Sequence, residues 1–301
     1  MNNISDIKLF CEKNNISHKL GEKLSAYCTF KTGGKAEIII EPSSADELGK
    51  IIAEIKKQCM NYIVLGRGSN VLFPDSGTDD VVILLGEKFS QIKLISEDEI
   101  FCQSGASLTR LCNFACENSL TGMEFAYGIP GTVGGAVYMN AGAYGGEIKD
   151  IITKAEHLEE NGTAAEFAGA ELEMDYRKSV YTDTGKIITG AYFKLKKGDR
   201  QQIQAKMDEI MGQRRAKQPL EYPSAGSTFK RPEGAFASAL IDGCGLKGFS
   251  VGGAQVSEKH AGFIINRGGA ASSDILTLMA EVTAIVKEKT GYVLEPEIKI
   301  Y

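Results

Sequence analysis

Hydrophobic positions in the first third of the chain follow two periods. Ile4, Ile7 and Phe10 recur at helical spacing and predict a short amphipathic helix over 2–14. Apolar, β-branched runs at Ile38–Ile40, Tyr62–Leu65 and Val81–Leu85 read as buried strands. Between the first two stands Ser44-Ala-Asp-Glu47, a capping box opening a helix that carries Leu48, Ile51, Ile52 and Ile55. This part therefore alternates strand, helix, strand. Ile92 to Ile100 predicts two short strands around an acidic turn. Ser107 to Asn118 predicts a helix with Leu108, Leu111, Cys112 and Ala115 inward, and Ile187–Leu195 a further strand.

The texture changes at Lys196–Asp199, and a domain boundary is expected between 197 and 198. A charged helix over 200–216 leads into a loop with Pro219, Pro223 and Pro232. The last third holds a glycine-rich segment (Gly243–Gly253), a strand (Gly262–Asn266) and a long amphipathic helix. That helix starts near Ser273-Asp274 and buries Ile275, Leu278, Met279, Val282, Ile285 and Val286, with Gly291 placed to end it. A terminal strand, Val293–Tyr301, closes the chain. Along it Glu295, Glu297 and Lys299 share one face and Ile298 and Ile300 the other.

Composition narrows the class. The 301 residues are 43% hydrophobic, enough for a substantial core and two or three domains. A formal net charge of −5 speaks against a nucleic-acid binder that works by broad phosphate neutralisation. No apolar run approaches the roughly 20 residues of a membrane span. MNNISDIKLFCEKNN has neither a basic n-region nor an apolar h-region, so no signal peptide is expected. The seven cysteines include no CxxC and read as reduced thiols of a cytoplasmic protein. His18, His157 and His260 are far apart, so no metal site is expected; His260 reads as a structural hydrogen-bonder.

Two segments are candidate anion cradles. Leu65-Gly66-Arg67-Gly68-Ser69-Asn70 follows a strand directly. GIPGTVGGAVYMNAGAYG, Gly128 to Gly145, carries six glycines in eighteen residues and neither Lys nor Arg. Bare backbone lets successive N–H groups converge on phosphate oxygens. Neither segment has the G-x-G-x-x-G or G-x-x-x-x-G-K-[ST] spacing, so the Rossmann and P-loop readings lack support. Tight turns explain the glycines equally well one at a time. A cofactor diphosphate gripped at two places explains them together: Gly66, Arg67, Gly68, Ser69 and Asn70 on one loop, Gly128, Pro130, Gly131, Thr132, Gly134, Gly135, Asn140 and Gly142 on the other.

YCTFKTGG (27–34), GRGSN (66–70), GIPGTVGG (128–135) with Asn140-Ala-Gly142, DYRKS (175–179), AGSTF (225–229), KHA (259–261) and EPE (295–297) occur in one order. Together they resemble the UDP-N-acetylenolpyruvoylglucosamine reductases, the MurB family, from about residue 25 to the end. The resemblance implies an α+β fold: a two-lobed FAD-binding domain of the vanillyl-alcohol-oxidase/PCMH type plus a C-terminal α+β substrate-binding domain. Their expected extents are 1–197, with lobes of about 1–65 and 66–197, and 198–301, the terminal strand 292–301 returning to the first. It further implies a cytoplasmic, monomeric flavoenzyme of peptidoglycan precursor synthesis, with no membrane or nucleic-acid partner. NADPH is the implied electron donor, reducing UDP-N-acetylglucosamine enolpyruvate to UDP-N-acetylmuramate. Gly66–Asn70 holds neither His nor Cys, so FAD is expected to be non-covalent. DYRKS passes within a few residues to Gly185 and the strand at Ile187, which is similar to the shorter (type II) branch. The longer branch carries an insertion there whose tyrosine closes over the substrate.

The implied reaction sends a hydride to one carbon of a C=C conjugated to a carboxylate, and charge builds on its neighbour. Carried onto this sequence, Ser227 is the proton donor, since an enolate is basic enough to take a hydroxyl proton. Arg177 pairs with the substrate carboxylate and Glu297 hydrogen-bonds it. Lys217, Arg231 and Tyr176 are the implied substrate contacts. Without the resemblance, Ser227 reads as a turn serine, Arg177 as a solvated arginine and Glu297 as part of a solvent-facing row. Arg214, Arg215, Lys217, Lys230 and Arg231 cluster around Ser227 and suit a substrate bearing a diphosphate, though a solvated helix face explains Arg214 and Arg215 nearly as well. A flavin oxidase of the same fold and a non-catalytic nucleotide-sugar binder are the competing functions.

Overall fold

A computed structural model describes residues 3–301 and divides the chain into two compact units. The first unit takes the chain up to Leu20, Glu37–Arg67 and Asp80–Gly212. It contains two lobes, each with its own core. In one lobe, helices α1 (Asn3–Lys13) and α2 (Ala45–Lys57) pack on a four-stranded sheet. Its strands run in the order Ser17–Lys23, Lys35–Glu41, Val81–Leu84, Tyr62–Leu65. The last three are parallel, as a strand–helix–strand crossover requires. Residue 2, the expected start of α1, lies outside the described residues. Helix α2 buries Leu48, Ile51, Ile52 and Ile55 as the spacing predicts. Its capping box is half formed: Ser44 Oγ accepts the Glu47 N–H at 3.2 Å, but the Glu47 carboxylate turns to the backbone and hydroxyl of Ser43.

The other lobe packs α3 (Leu108–Glu117) and α4 (Val133–Tyr138) against a five-stranded antiparallel sheet. The order is Ala164–Ala168, Ile152–Leu158, Ile187–Lys194, Glu99–Gln103, Ile92–Leu94. Helix α4 falls inside the stretch read as a glycine loop. Thr132 caps it, accepting the Gly135 N–H at 3.4 Å. Gly134 lets it approach the sheet: a Cβ there would stand 2.8 Å from Ser104 Cβ, and its N–H donates to the Ser104 carbonyl at 2.8 Å.

Helix α5 (Arg200–Lys217) spans the passage from the first unit to the second at 212/213. The second unit takes Gly21–Ala36, Gly68–Asp79 and Gln213–Tyr301. Its antiparallel sheet runs Ser224–Ser227, Phe263–Asn266, Ala254–Val256, Ser250–Val251, accompanied by α6 (Ala237–Gly243) and α7 (Ser272–Thr290). The two early segments belong here because of long-range polar bonds that no apolar pattern reveals. Asn266 Nδ2 donates to the Phe30 carbonyl at 2.9 Å. Asp75 accepts the Ser272 and Ser273 N–H groups at 2.7 and 3.0 Å. Of the expected terminal strand only Lys299–Ile300 forms a ladder, parallel to Val71–Leu72. Ile298 is buried, while Ile300 is 43% exposed.

The Asp75 contact caps α7 from a remote segment; Gly291, in the left-handed conformation, ends the helix as expected. Burial acts to raise the Asp75 pKa, but the hydrogen bonds from Ser272 and Ser273 outweigh it and hold the carboxyl below its usual value. A depressed carboxylate contributes stability above its unfolded pKa and loses it as pH falls through the folded value. Asp75→Ala is therefore expected to cost up to about 1 kcal/mol at neutral pH, reduced by solvent screening. The difference in melting temperature between wild type and variant should shrink towards zero as pH drops below about 4.

Six of the seven cysteines are buried, Cys59 alone being exposed, and all are free thiols. Among the described residues no group of His, Cys, Asp and Glu is arranged to hold a metal ion. Among the described residues no helix is long and apolar enough to cross a membrane.

Candidate active site

Gly66 and Thr132, far apart in sequence, meet in the first unit. A Cβ on Gly66 would stand 2.4 Å from Thr132 Oγ1. The 128–132 loop is pinned to the start of α3 by Leu108 N–H to Gly131 O (3.1 Å) and Val133 N–H to Ala106 O (2.9 Å). Its own donors face elsewhere: the N–H groups of Gly128, Gly131 and Thr132, like those of Gly66 and Arg67, donate to no protein acceptor among the described residues. The same holds for Gly68 and Ser69 in the second unit, and Gly68 is buried. Buried, unpaired backbone donors are costly. In the first unit the unpaired donors of Gly66, Gly128, Gly131 and Thr132, on loops with few side chains, fit the anionic diphosphate of a dinucleotide cofactor.

The other residues expected at the cofactor are committed internally. Gly134 and Gly135 make the α4 bonds already described. A Cβ on Gly142 would come within 2.9 Å of Glu147 Cβ, so this glycine closes a small hairpin. Asn140 is fully buried with both ends of its amide bonded to protein. Asn70 Nδ2 donates to the Glu297 carbonyl at 3.1 Å, and its carbonyl accepts the Lys299 N–H at 3.0 Å. Pro130 and Arg67 are exposed.

Gly68 has a demanding position. Its φ is +59°, its carbonyl accepts the Thr29 N–H at 3.0 Å, and a Cβ would meet the Tyr27 carbonyl at 2.2 Å. Backbone cannot yield as a flexible side chain can. Gly68→Ala is expected to destabilise by at least about 2 kcal/mol and to weaken FAD retention, read by thermal melting and by flavin loss on gel filtration.

Arg177 stands in the first unit on a two-residue turn. Asp175 and Lys178 exchange backbone hydrogen bonds of 3.0 and 3.1 Å across it. Arg177 adopts φ +53°, a left-handed conformation uncommon outside glycine. Its guanidinium carbon lies 5.1 Å from the ring centroid of Tyr176, which is exposed. Strained residues of this kind concentrate at functional sites.

Ser227 and Glu297 are brought together in the second unit. Ser227 ends a strand instead of sitting in the loop that its small neighbours suggest. Gly226, at φ +75°, and a register shift between Ser224 and Ser227 bend the strand and leave Ser227 exposed at its end. Thr228 then locks the position. Its N–H donates to Gly262 O (2.9 Å), its hydroxyl accepts from Ile264 N–H (3.0 Å), and its carbonyl accepts from Glu297 N–H (2.8 Å). The Glu297 backbone is thus held by Thr228, the neighbour of Ser227, on one side and by Asn70 on the other. The sequence reading missed Thr228, whose signal was a β-branched residue beside a small-residue bend. Lys217 ends α5 at the surface, and the Arg231 guanidinium lies 4.0 Å over the exposed Phe236 ring. His260 is structural, its Nδ1 accepting the Gly262 N–H at 3.2 Å.

Paired lobes of parallel and antiparallel sheet with bare loops between them define an FAD-binding protein of the vanillyl-alcohol-oxidase/PCMH type. An FAD binding domain model matches residues 36–168. The 4-ethylphenol oxidase of Gulosibacter chungangensis shares this fold with a TM-score of 0.51, over 65% of this chain and 43% of that one, at 17% identity. The C-terminal domain model of UDP-N-acetylenolpyruvoylglucosamine reductase matches residues 218–301. The UDP-N-acetylenolpyruvoylglucosamine reductase of Caldanaerobacter subterraneus subsp. tengcongensis is 45% identical over 93% of this chain and 92% of its own length. A crystal structure of the Thermus caldophilus enzyme of that name aligns with a TM-score of 0.80 at 35% identity, over 95% of this chain and 98% of that one. The chain belongs to the UDP-N-acetylenolpyruvoylglucosamine reductase family, FAD-dependent oxidoreductases.

Proposed function

We propose that the chain reduces UDP-N-acetylglucosamine enolpyruvate to UDP-N-acetylmuramate, with NADPH as donor and non-covalent FAD, in peptidoglycan precursor synthesis. When bound, FAD accepts a hydride from NADPH and supplies one to the enolpyruvyl double bond. The residues of this chain handle what remains: holding the cofactor, stabilising the developing charge and delivering one proton. Gly66–Ser69, Gly128, Gly131 and Thr132 hold the diphosphate through backbone N–H groups. Ser227 donates the proton to the carbon beside the carboxylate. Glu297 hydrogen-bonds that carboxylate, and Arg177 pairs with it as its charge grows. Lys217, Arg231 and Tyr176 complete substrate binding. The observation that supports this reading is the hydrogen bond from the Glu297 N–H to the carbonyl of Thr228, the residue after Ser227, on a chain whose family reduces this class of substrate.

The test is optical. Purified protein is expected to be yellow, to bleach anaerobically with NADPH, and to regain its colour on addition of the enolpyruvyl sugar nucleotide. Bleaching by a sugar alcohol but not by NADPH would make it an oxidase. A protein that stays colourless with added FAD would be a binder without turnover.

A further inference from the structure

Asn140 spends its side-chain amide on partners within the protein. It is fully buried at φ +43°, a conformation that asparagine tolerates better than most side-chained residues. Nδ2 donates to the Glu147 carboxylate at 2.6 Å and to the Asp175 carbonyl at 3.0 Å; Oδ1 accepts the Lys149 N–H at 2.9 Å. Two acceptors on one side and a backbone donor on the other assign the amide orientation and use both of its hydrogens. Asp175 is the residue that opens the Tyr176–Arg177 turn. The far side of that turn is tied to the Tyr138 carbonyl, which accepts from Ser179 Oγ at 2.7 Å and Thr182 Oγ1 at 3.2 Å. Tyr138 is the last residue of α4, the helix that Thr132 opens.

We propose that Asn140 is a positioning residue for Arg177. Its amide fixes the carbonyl at the base of the turn, and so fixes the direction in which the guanidinium leaves it. The proposal rests on the role given to Arg177 above. Asparagine suits the place chemically. An aspartate would set a carboxylate against Glu147 and the Asp175 carbonyl, three acceptors with no donor between them. Alanine would lose the bonds and add strain at positive φ. The turn would then remain, held by its own two backbone bonds, but its base would be free to shift. Displacements of about 1 Å in a charge-pairing group cost on the order of 10- to 100-fold in rate.

Asn140→Gly removes the amide and keeps the backbone conformation unstrained. Asn140→Asp keeps the acceptor for Lys149 and removes the bond to Asp175, and serves if the glycine variant does not fold. In FAD-loaded protein, flavin reduction by NADPH is expected to be unchanged in both, while reoxidation by the enolpyruvyl substrate falls about 10- to 100-fold. In an Arg177→Ala background, Asn140→Gly should lower reoxidation no further, because its effect passes through the guanidinium. Equal losses in both half-reactions, full reoxidation in the Asn140 variants, or losses that multiply with Arg177→Ala would each overturn the proposal and leave the role of Arg177 standing. Normal reoxidation in Arg177→Ala alone would remove that role, and the proposal with it.

Discussion

Ser227→Ala is expected to leave reduction of the flavin by NADPH intact and to slow reoxidation by the enolpyruvyl substrate about 10²- to 10⁴-fold, the usual contribution of a positioned proton donor. The two half-reactions separate a chemical role from a structural one. The Ser227 side chain is exposed, and the polar bonds that hold this corner belong to Thr228 and to the backbone. Removing one hydroxyl therefore leaves the ladder to Glu297 in place, and melting temperature should hardly move. A thiol also donates a proton, so Ser227→Cys should keep part of the activity. Equal losses in both half-reactions of Ser227→Ala would assign the residue to folding or cofactor binding.

Arg177→Lys is expected to lose about 10²-fold in the same half-reaction although the charge is retained. Carboxylate pairing by a guanidinium uses two parallel N–H groups in a plane, which an ammonium cannot present. The turn geometry adds to the loss. At φ +53° the side chain leaves the backbone in a direction set by the left-handed residue, and a lysine there presents a point charge where the arginine presents a planar fork. Stopped-flow traces with both substrates decide the matter, and near-normal reoxidation would exclude Arg177 from the chemistry.

Elements that bury an apolar stripe were legible in the sequence. Helices α2, α3 and α7 follow from Leu48, Leu111 and Ile275 and their repeats, because burial and period are the same signal. Helix α4 was not, since it owes its place to a missing side chain at Gly134 and a cap at Thr132. The strand ending at Ser227 was hidden by Gly226, whose positive φ reads as a loop until the Phe263 strand beside it is seen. The candidate site divides in the same way. Glycine density marks the proposed cradle, and only the geometry shows that Gly66, Gly68, Gly128 and Gly131 carry unpaired N–H groups while the Asn140 and Asn70 side chains and the Gly134 N–H bond other parts of the chain. Asn140 illustrates the reason. Its partner Asp175 is 35 residues away, and nothing in either residue's neighbours points to the other.

The division between compact units carries a consequence for the molecule as a modular object. The chain passes from one unit to the other at 20/21, 36/37, 67/68, 79/80 and 212/213. A single nick in the hydrophilic helix after residue 200 therefore liberates no autonomous cassette: the carboxy-terminal fragment would lack the early peptide that receives the Asn266 amide and the aspartate that seats its longest helix. Such interlacing means that no single cut of the chain separates one unit's residues from the other's.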